Sequence, residues 1–133
     1  MKTGELMMEF TVNGQTQTFS FGMKFIREMD KFKEVSQYGM NFAMGLQMTM
    51  TQFLGMGSLT ALSDILKAAN HAAGGNLTTS DLDEFFEDDG TDIDAISNEV
   101  KKALEEGKFT KTMVAQLEAN QAAVTARLAQ QQD

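Results

Sequence analysis

Residues 6–21 read LMMEFTVNGQTQTFSF, and the alternation of this stretch decides the architecture. Asn13-Gly14 is the dipeptide that best accepts the two positive φ angles of a type I′ turn. A two-residue turn there pairs Val12 with Gln15, Phe10 with Gln17, Met8 with Phe19 and Leu6 with Phe21. Leu6, Met8, Phe10, Val12, Phe19 and Phe21 then share one face, and Met7, Glu9, Thr11, Thr16, Thr18 and Ser20 the other. An isolated hairpin is marginal in water, so the apolar face must dock on something. The helices that follow are the available cover, and Phe10, Phe19 and Phe21 are expected to dock on the first of them through Phe25, Met29 and Phe32.

Working outward, Met23 to Val35 reads as an amphipathic helix, with Phe25, Ile26, Met29 and Phe32 on one side and Lys24, Arg27, Asp30, Lys31 and Glu34 elsewhere. A second helix is expected from Met40 to Leu54, apolar on almost every side. A third starts after the N-cap Ser58, carries Leu59, Leu62, Ile65, Leu66 and Ala69, and stops at Gly74-Gly75. Ser80, with Asp83 three residues on, predicts the start of a short acidic helix through Phe85 and Phe86 that Gly90 ends. Ile93, Ile96, Val100 and Leu104 mark a helix from about Asp92 to Glu106. From Thr110 onward Val114, Leu117, Val124 and Leu128 lie in an Ala- and Gln-rich background, which favours helix but offers little to bury. That tail is expected to project or to await a partner. The fold class is therefore α+β, predominantly α: an N-terminal β-hairpin packed on a bundle of about five helices, with a C-terminal helical tail. Residues 1–106 form the hairpin-plus-helical domain and 107–133 the helical extension.

The net charge of -8 is local. From Ala68 to Val100 there is no Lys or Arg, but there are nine acids: Asp81, Asp83, Glu84, Glu87, Asp88, Asp89, Asp92, Asp94 and Glu99. Of 19 acidic residues these leave ten against all 11 basic ones, so the rest of the chain is nearly neutral. Such a segment repels phosphate backbones, and no basic stripe occurs elsewhere, so nucleic acid is not an expected partner. The absence of Cys rules out disulfides, thiolate zinc sites and cysteine nucleophiles and suits a cytosolic protein. MKTGELMMEF lacks the apolar core and cleavage site of a secretory signal.

The stretch from Val35 to Ser63 is uncharged, which raises the question of a membrane span. Its interior glycines and the polar Gln37, Asn41, Gln47, Thr49, Thr51 and Gln52 make insertion costly, and no membrane role is expected. An EF-hand fails on spacing: with Gly90 at the sixth loop position, the first and twelfth ligands are Phe85 and Ile96. His71 is the single histidine, so a metal site lacks partners, and a structural role is expected of it. No nucleophile motif, phosphate-cradling loop or paired carboxylate in an apolar setting occurs, so neither catalysis nor a cofactor is expected.

Eleven Met against one Tyr and no Trp is the other skew. Met either fills the core or forms a surface that repacks against partners, and both readings stand for Phe42, Met44, Leu46, Met48, Met50, Phe53 and Leu54. The candidate protein-binding set is Met40, Phe42, Met44, Met48 and Phe53 by apolar contact, with Asp88 and Asp89 for steering and solubility. More apolar surface than one small domain readily hides also predicts a homo-oligomer.

The hairpin closing on Phe19-Ser-Phe-Gly22, the Met23-Lys-Phe-Ile-Arg-Glu-Met29 helix, and the Gly- and Met-rich apolar segment form a recognisable order. With Leu77-Thr-Thr-Ser-Asp-Leu-Asp-Glu-Phe85, Asp92-Ile-Asp-Ala-Ile96 and Val100-Lys-Lys-Ala-Leu104 they carry a likeness over residues 5–106. This arrangement resembles the tail assembly chaperones of long-tailed (siphovirus-type) phages of Gram-positive bacteria. The resemblance implies an assembly factor in the host cytoplasm, absent from the finished virion. Such a factor binds and solubilises the tape measure protein while tail tube protein, a further partner, polymerises around it. The competing reading is an acidic helical adaptor or structural subunit that forms a permanent homo-oligomer.

Overall fold

The computed structural model describes residues 7–32, 34–37, 40–43 and 45–131. Strands β1 (Met7–Val12) and β2 (Gln15–Ser20) form the expected antiparallel hairpin, with Val12 opposite Gln15, Phe10 opposite Gln17 and Met8 opposite Phe19. The turn holds Asn13 at φ 51° and Gly14 at φ 85°, the left-handed pair that Asn-Gly tolerates. Leu6, expected opposite Phe21, lies outside the described residues. Val12, Phe19 and Phe21 are buried, and Met8 and Phe10 half-buried, so the apolar face is the core face.

What covers that face differs from expectation. Helix α1 (Met23–Phe32) packs on α3 (Leu59–Ala72), and it is α3 that receives β2. Strand β1 leans on α4 (Thr79–Glu87), where the Phe10 ring stacks between Phe19, at 4.4 Å, and Phe85, at 5.6 Å. From α1, Phe25 makes a ring contact with the hairpin side, meeting Phe21 at 5.1 Å; the side chain of Phe32 lies outside what is described. The reason is the breadth of α3, which buries Ala61, Leu62, Ile65, Leu66, Ala68 and Ala69. Its alanines let a strand approach closely, and a helix apolar over so much of its surface belongs in the centre.

The segment expected as one helix from Met40 to Leu54 is three pieces. Helix α1 stops at Phe32, not Val35. Strand β3 (Glu34–Gln37) pairs antiparallel with β4 (Met40–Ala43), Val35 opposite Phe42. Helix α2 (Gly45–Met50) then runs into a π-turn, Thr51–Gly55. Two contacts with α1 start α2 at Gly45. A Cβ there would collide with the Met29 carbonyl, and Asp30 Oδ1 accepts the Leu46 N–H at 3.1 Å. The β3–β4 hairpin is thus an arm whose flanking helices meet at its base. Leu46, Thr49, Met50 and Phe53 turn inward and are buried.

Caps set the remaining helices. Ser58 Oγ accepts the Ala61 N–H at 3.1 Å, as expected for α3. For α4 the cap is Thr78 with Asp81, not Ser80 with Asp83: the Thr78 hydroxyl accepts the Asp81 N–H at 3.1 Å, and Asp81 Oδ2 accepts the Thr78 N–H at 2.9 Å. The same spacing occurs in both frames. The earlier start is the one observed, with Leu82 and Phe85 buried beneath it. Asp92 caps α5 (Ile93–Glu106) through the Ala95 N–H at 3.0 Å, and α6 (Lys111–Gln131) follows, seated by buried Val114.

Asn70, in the last turn of α3 and 1% exposed, joins three segments. Its Nδ2 donates to Gln17 Oε1 at 3.0 Å and to the Thr18 carbonyl at 3.1 Å, and its Oδ1 accepts the Leu77 N–H at 3.0 Å. His71 completes the clamp, its Nε2–H donating to the Leu77 carbonyl at 2.8 Å; a carbonyl only accepts, which fixes the tautomer. Asn70→Leu fits the volume but strands a buried N–H and weakens the hairpin seat, so stability in urea melts is expected to fall by at least about 2 kcal/mol. A loss under about 0.5 kcal/mol would show the network to be incidental. Thr49 is the opposite case, since its buried Oγ1 has no hydrogen-bond partner. Thr49→Val is expected to raise stability by about 1 kcal/mol in the same measurement.

Candidate functional site

Two recesses mark the surface. The first, of about 570 Å³, runs between the π-turn and α6; Thr51, Leu54 and Gly55 form one wall and Ala122, Ala126 and Ala129 are on the other. Beyond the second turn of α6 all residues from Glu118 to Gln130 are exposed, Val124 at 48% and Leu128 at 54%. The cleft is mainly apolar and open along its length, the form that suits a helix better than a small molecule.

The second recess, of about 390 Å³, lies where the β1–β2 turn meets the α4–α5 loop. Asn13 Nδ2 donates to the Asp81 carbonyl at 3.0 Å and holds the turn against α4. Asp88, Asp92 and Glu99 line this hollow beside Phe10 and Phe85. Asp88 Oδ1 accepts the Gly90 N–H at 2.8 Å, and Asp92 caps α5, so these carboxylates are occupied in closing local backbone. Among the described residues no group of three His, Cys, Asp or Glu is placed to hold a metal ion.

The residues singled out by sequence fall in separate places. Met40 and Phe42 lie on β4, in the arm. Met44 lies outside the described residues. Met48, on α2, is 38% exposed, whereas Phe53, in the π-turn, is 3% exposed and part of the core. Asp88 and Asp89 are exposed just after α4, and Asp88 lines the other recess.

The methionines divide between the two readings left open for them. Met29 and Met50 are core; Met7, Met23, Met48 and Met56 are among the exposed large apolar residues, Met56 at 77%. The cleft against α6 was not read from sequence. Its walls are residues 51–55 and 117–129, far apart in the chain, and the π-turn has no simple sequence signal. Among the described residues no helix is long and apolar enough to cross a membrane.

Residues 9–118 match the family described as phage tail assembly chaperone protein, TAC, which spans most of the 133-residue chain and agrees with the resemblance read from its motifs. No curated protein matches the chain. No solved structure matches it. The family's role is a non-enzymatic one. The chain belongs to the phage tail assembly chaperone family.

Proposed function

We propose that this tail assembly chaperone binds the tape measure protein and keeps it soluble while tail tube subunits polymerise around it, acting in the cytoplasm of the bacterial host and leaving before the virion is complete. The observation that carries this reading is the set of exposed methionines, Met7, Met23, Met48 and Met56, on a chain of net charge -8. Unbranched thioether side chains repack against many apolar shapes, so they hold a partner without demanding one fixed fit. A strongly acidic body resists aggregation of the loaded complex. Met48 is the anchor of this proposed site, with Met40 and Phe42 of β4, and Met44 next in sequence, extending it. Phe53, being core, supports the site from beneath. Asp88 and Asp89 act at a distance, by steering.

Co-expression with the tape measure protein of the same phage, followed by size-exclusion chromatography, tests the reading. A soluble, co-eluting complex is expected; a tape measure protein that precipitates equally with and without this chain refutes it. Met48→Asp should abolish co-elution, because an ionised carboxylate left unpaired in an apolar contact costs several kcal/mol. Its circular dichroism should match the parent, since Met48 is exposed. Paired replacement of Asp88 and Asp89 by Asn should instead slow association and flatten its salt dependence while the formed complex persists. Equal affinity for the Met48 variant, in a folded state, would remove this site.

A further inference from the structure

Helix α6 carries one apolar seam from the body into solvent. Val114, Leu117, Gln121, Val124 and Leu128 follow steps of three and four, the a and d positions of a heptad with one polar member. Val114 is buried in the core and Leu117 packs against it, while Val124 and Leu128 continue the same line beyond the body's edge with no cover. From Glu118 to Gln131 the overhang is roughly 21 Å long at 1.5 Å per residue.

Charge selects what covers it. The whole chain carries -8, concentrated on α4 and α5, yet the overhang bears only Glu118 and Arg127, which cancel. It is a surface on which two of these acidic chains meet without like-charge repulsion. The cleft beside it lacks a wall, and the alanines lining it admit a helix at close range. Every copy of the chain presents both the gap and a helix with small residues at Ala122, Ala126 and Ala129.

We propose that two copies pair through their α6 overhangs, antiparallel about a two-fold axis, each overhang lying in the cleft between the π-turn and α6 of the other. Antiparallel crossing places the two bodies at opposite ends, whereas parallel crossing drives them together. With the axis between Ala122 and Ala123, Leu117 meets the partner's Leu128 and Gln121 meets the partner's Val124, so each layer joins an a to a d position. Gln121 then fixes the register, as a polar residue at an a position does.

Light scattering on the full chain alone tests this, independently of any tape measure protein. A mass of twice 14.6 kDa is expected at tens of micromolar, a roughly typical range for contacts of this size. Combined Val124→Gln and Leu128→Gln should weaken the dimer at least about tenfold with helical circular dichroism retained, Gln being a good helix former. Ala122→Arg, which leaves the seam intact but fills the cleft, should do the same. A monomeric parent overturns the proposal, and if Ala122→Arg then loses co-elution with the tape measure protein, the cleft belongs to that partner. A dimer that survives both variants also overturns it and moves the contact elsewhere.

Discussion

The amide of Asn70 is the point at which hairpin, central helix and acidic half are fixed relative to one another. Aromatic faces such as those of Phe10, Phe19 and Phe85 stack favourably over a range of offsets, so apolar contact alone leaves the hairpin free to slide along α3. A buried amide does not allow that. Its donors require Gln17 and the Thr18 carbonyl, and its acceptor requires the Leu77 N–H. Any slip leaves buried polar groups unpaired, at roughly 1–3 kcal/mol each. Gly75 follows from the same arrangement, since a Cβ there would overlap the Asn70 side chain. With His71 on the Leu77 carbonyl, the chain leaving α3 is led to Thr78, where the α4 cap begins.

A second constraint governs the other end. Because Gly45 lies against the Met29 carbonyl and Asp30 caps α2, the β3–β4 hairpin is inserted where α1 and α2 meet. An arm so attached can carry residues chosen for contact rather than for stability, and Met40 and Phe42 of the proposed binding set belong to it. The same junction starts the short α2, which points Leu46 and Met50 inward and leaves Met48 out.

Legibility in the sequence tracked how local the determining chemistry is. Asn13-Gly14 specifies its turn from two residues and Ser58 caps from three, and both are where the sequence places them. Thr78 and Ser80 show the limit: each heads the same capping spacing, and only the packing of Leu82 and Phe85 separates them. Between Lys33 and Gly55 local signals fail altogether. Short apolar runs without charge suit helix and strand equally, and periodicity cannot arbitrate over four residues. What decides there is the approach of Gly45 to Met29, a tertiary fact. The hairpin's true cover was misread for a related reason, because proximity in sequence favoured α1 whereas buried breadth favoured α3. The family was legible because its signature is the order of elements, which survives errors in their limits.

The distribution of methionine bears on the proposed holding role. Met29 and Met50 sit in the core, where flexibility is a modest disadvantage, because a three-torsion side chain loses more entropy on burial than a branched one. At Met7, Met23, Met48 and Met56 the same flexibility works the other way. An exposed Met keeps its rotamers until a partner arrives, so each contact it makes is discounted by the ordering it requires. Contacts of that kind are individually weak, adaptable and easily given up. The proposed holding and release of a partner needs that balance, and a permanent subunit would gain more from Leu, Ile or Phe. Surface methionine together with segregated acid therefore fits the proposed transient holding better than lasting assembly, while the neutral α6 overhang carries an exposed seam built on Val and Leu.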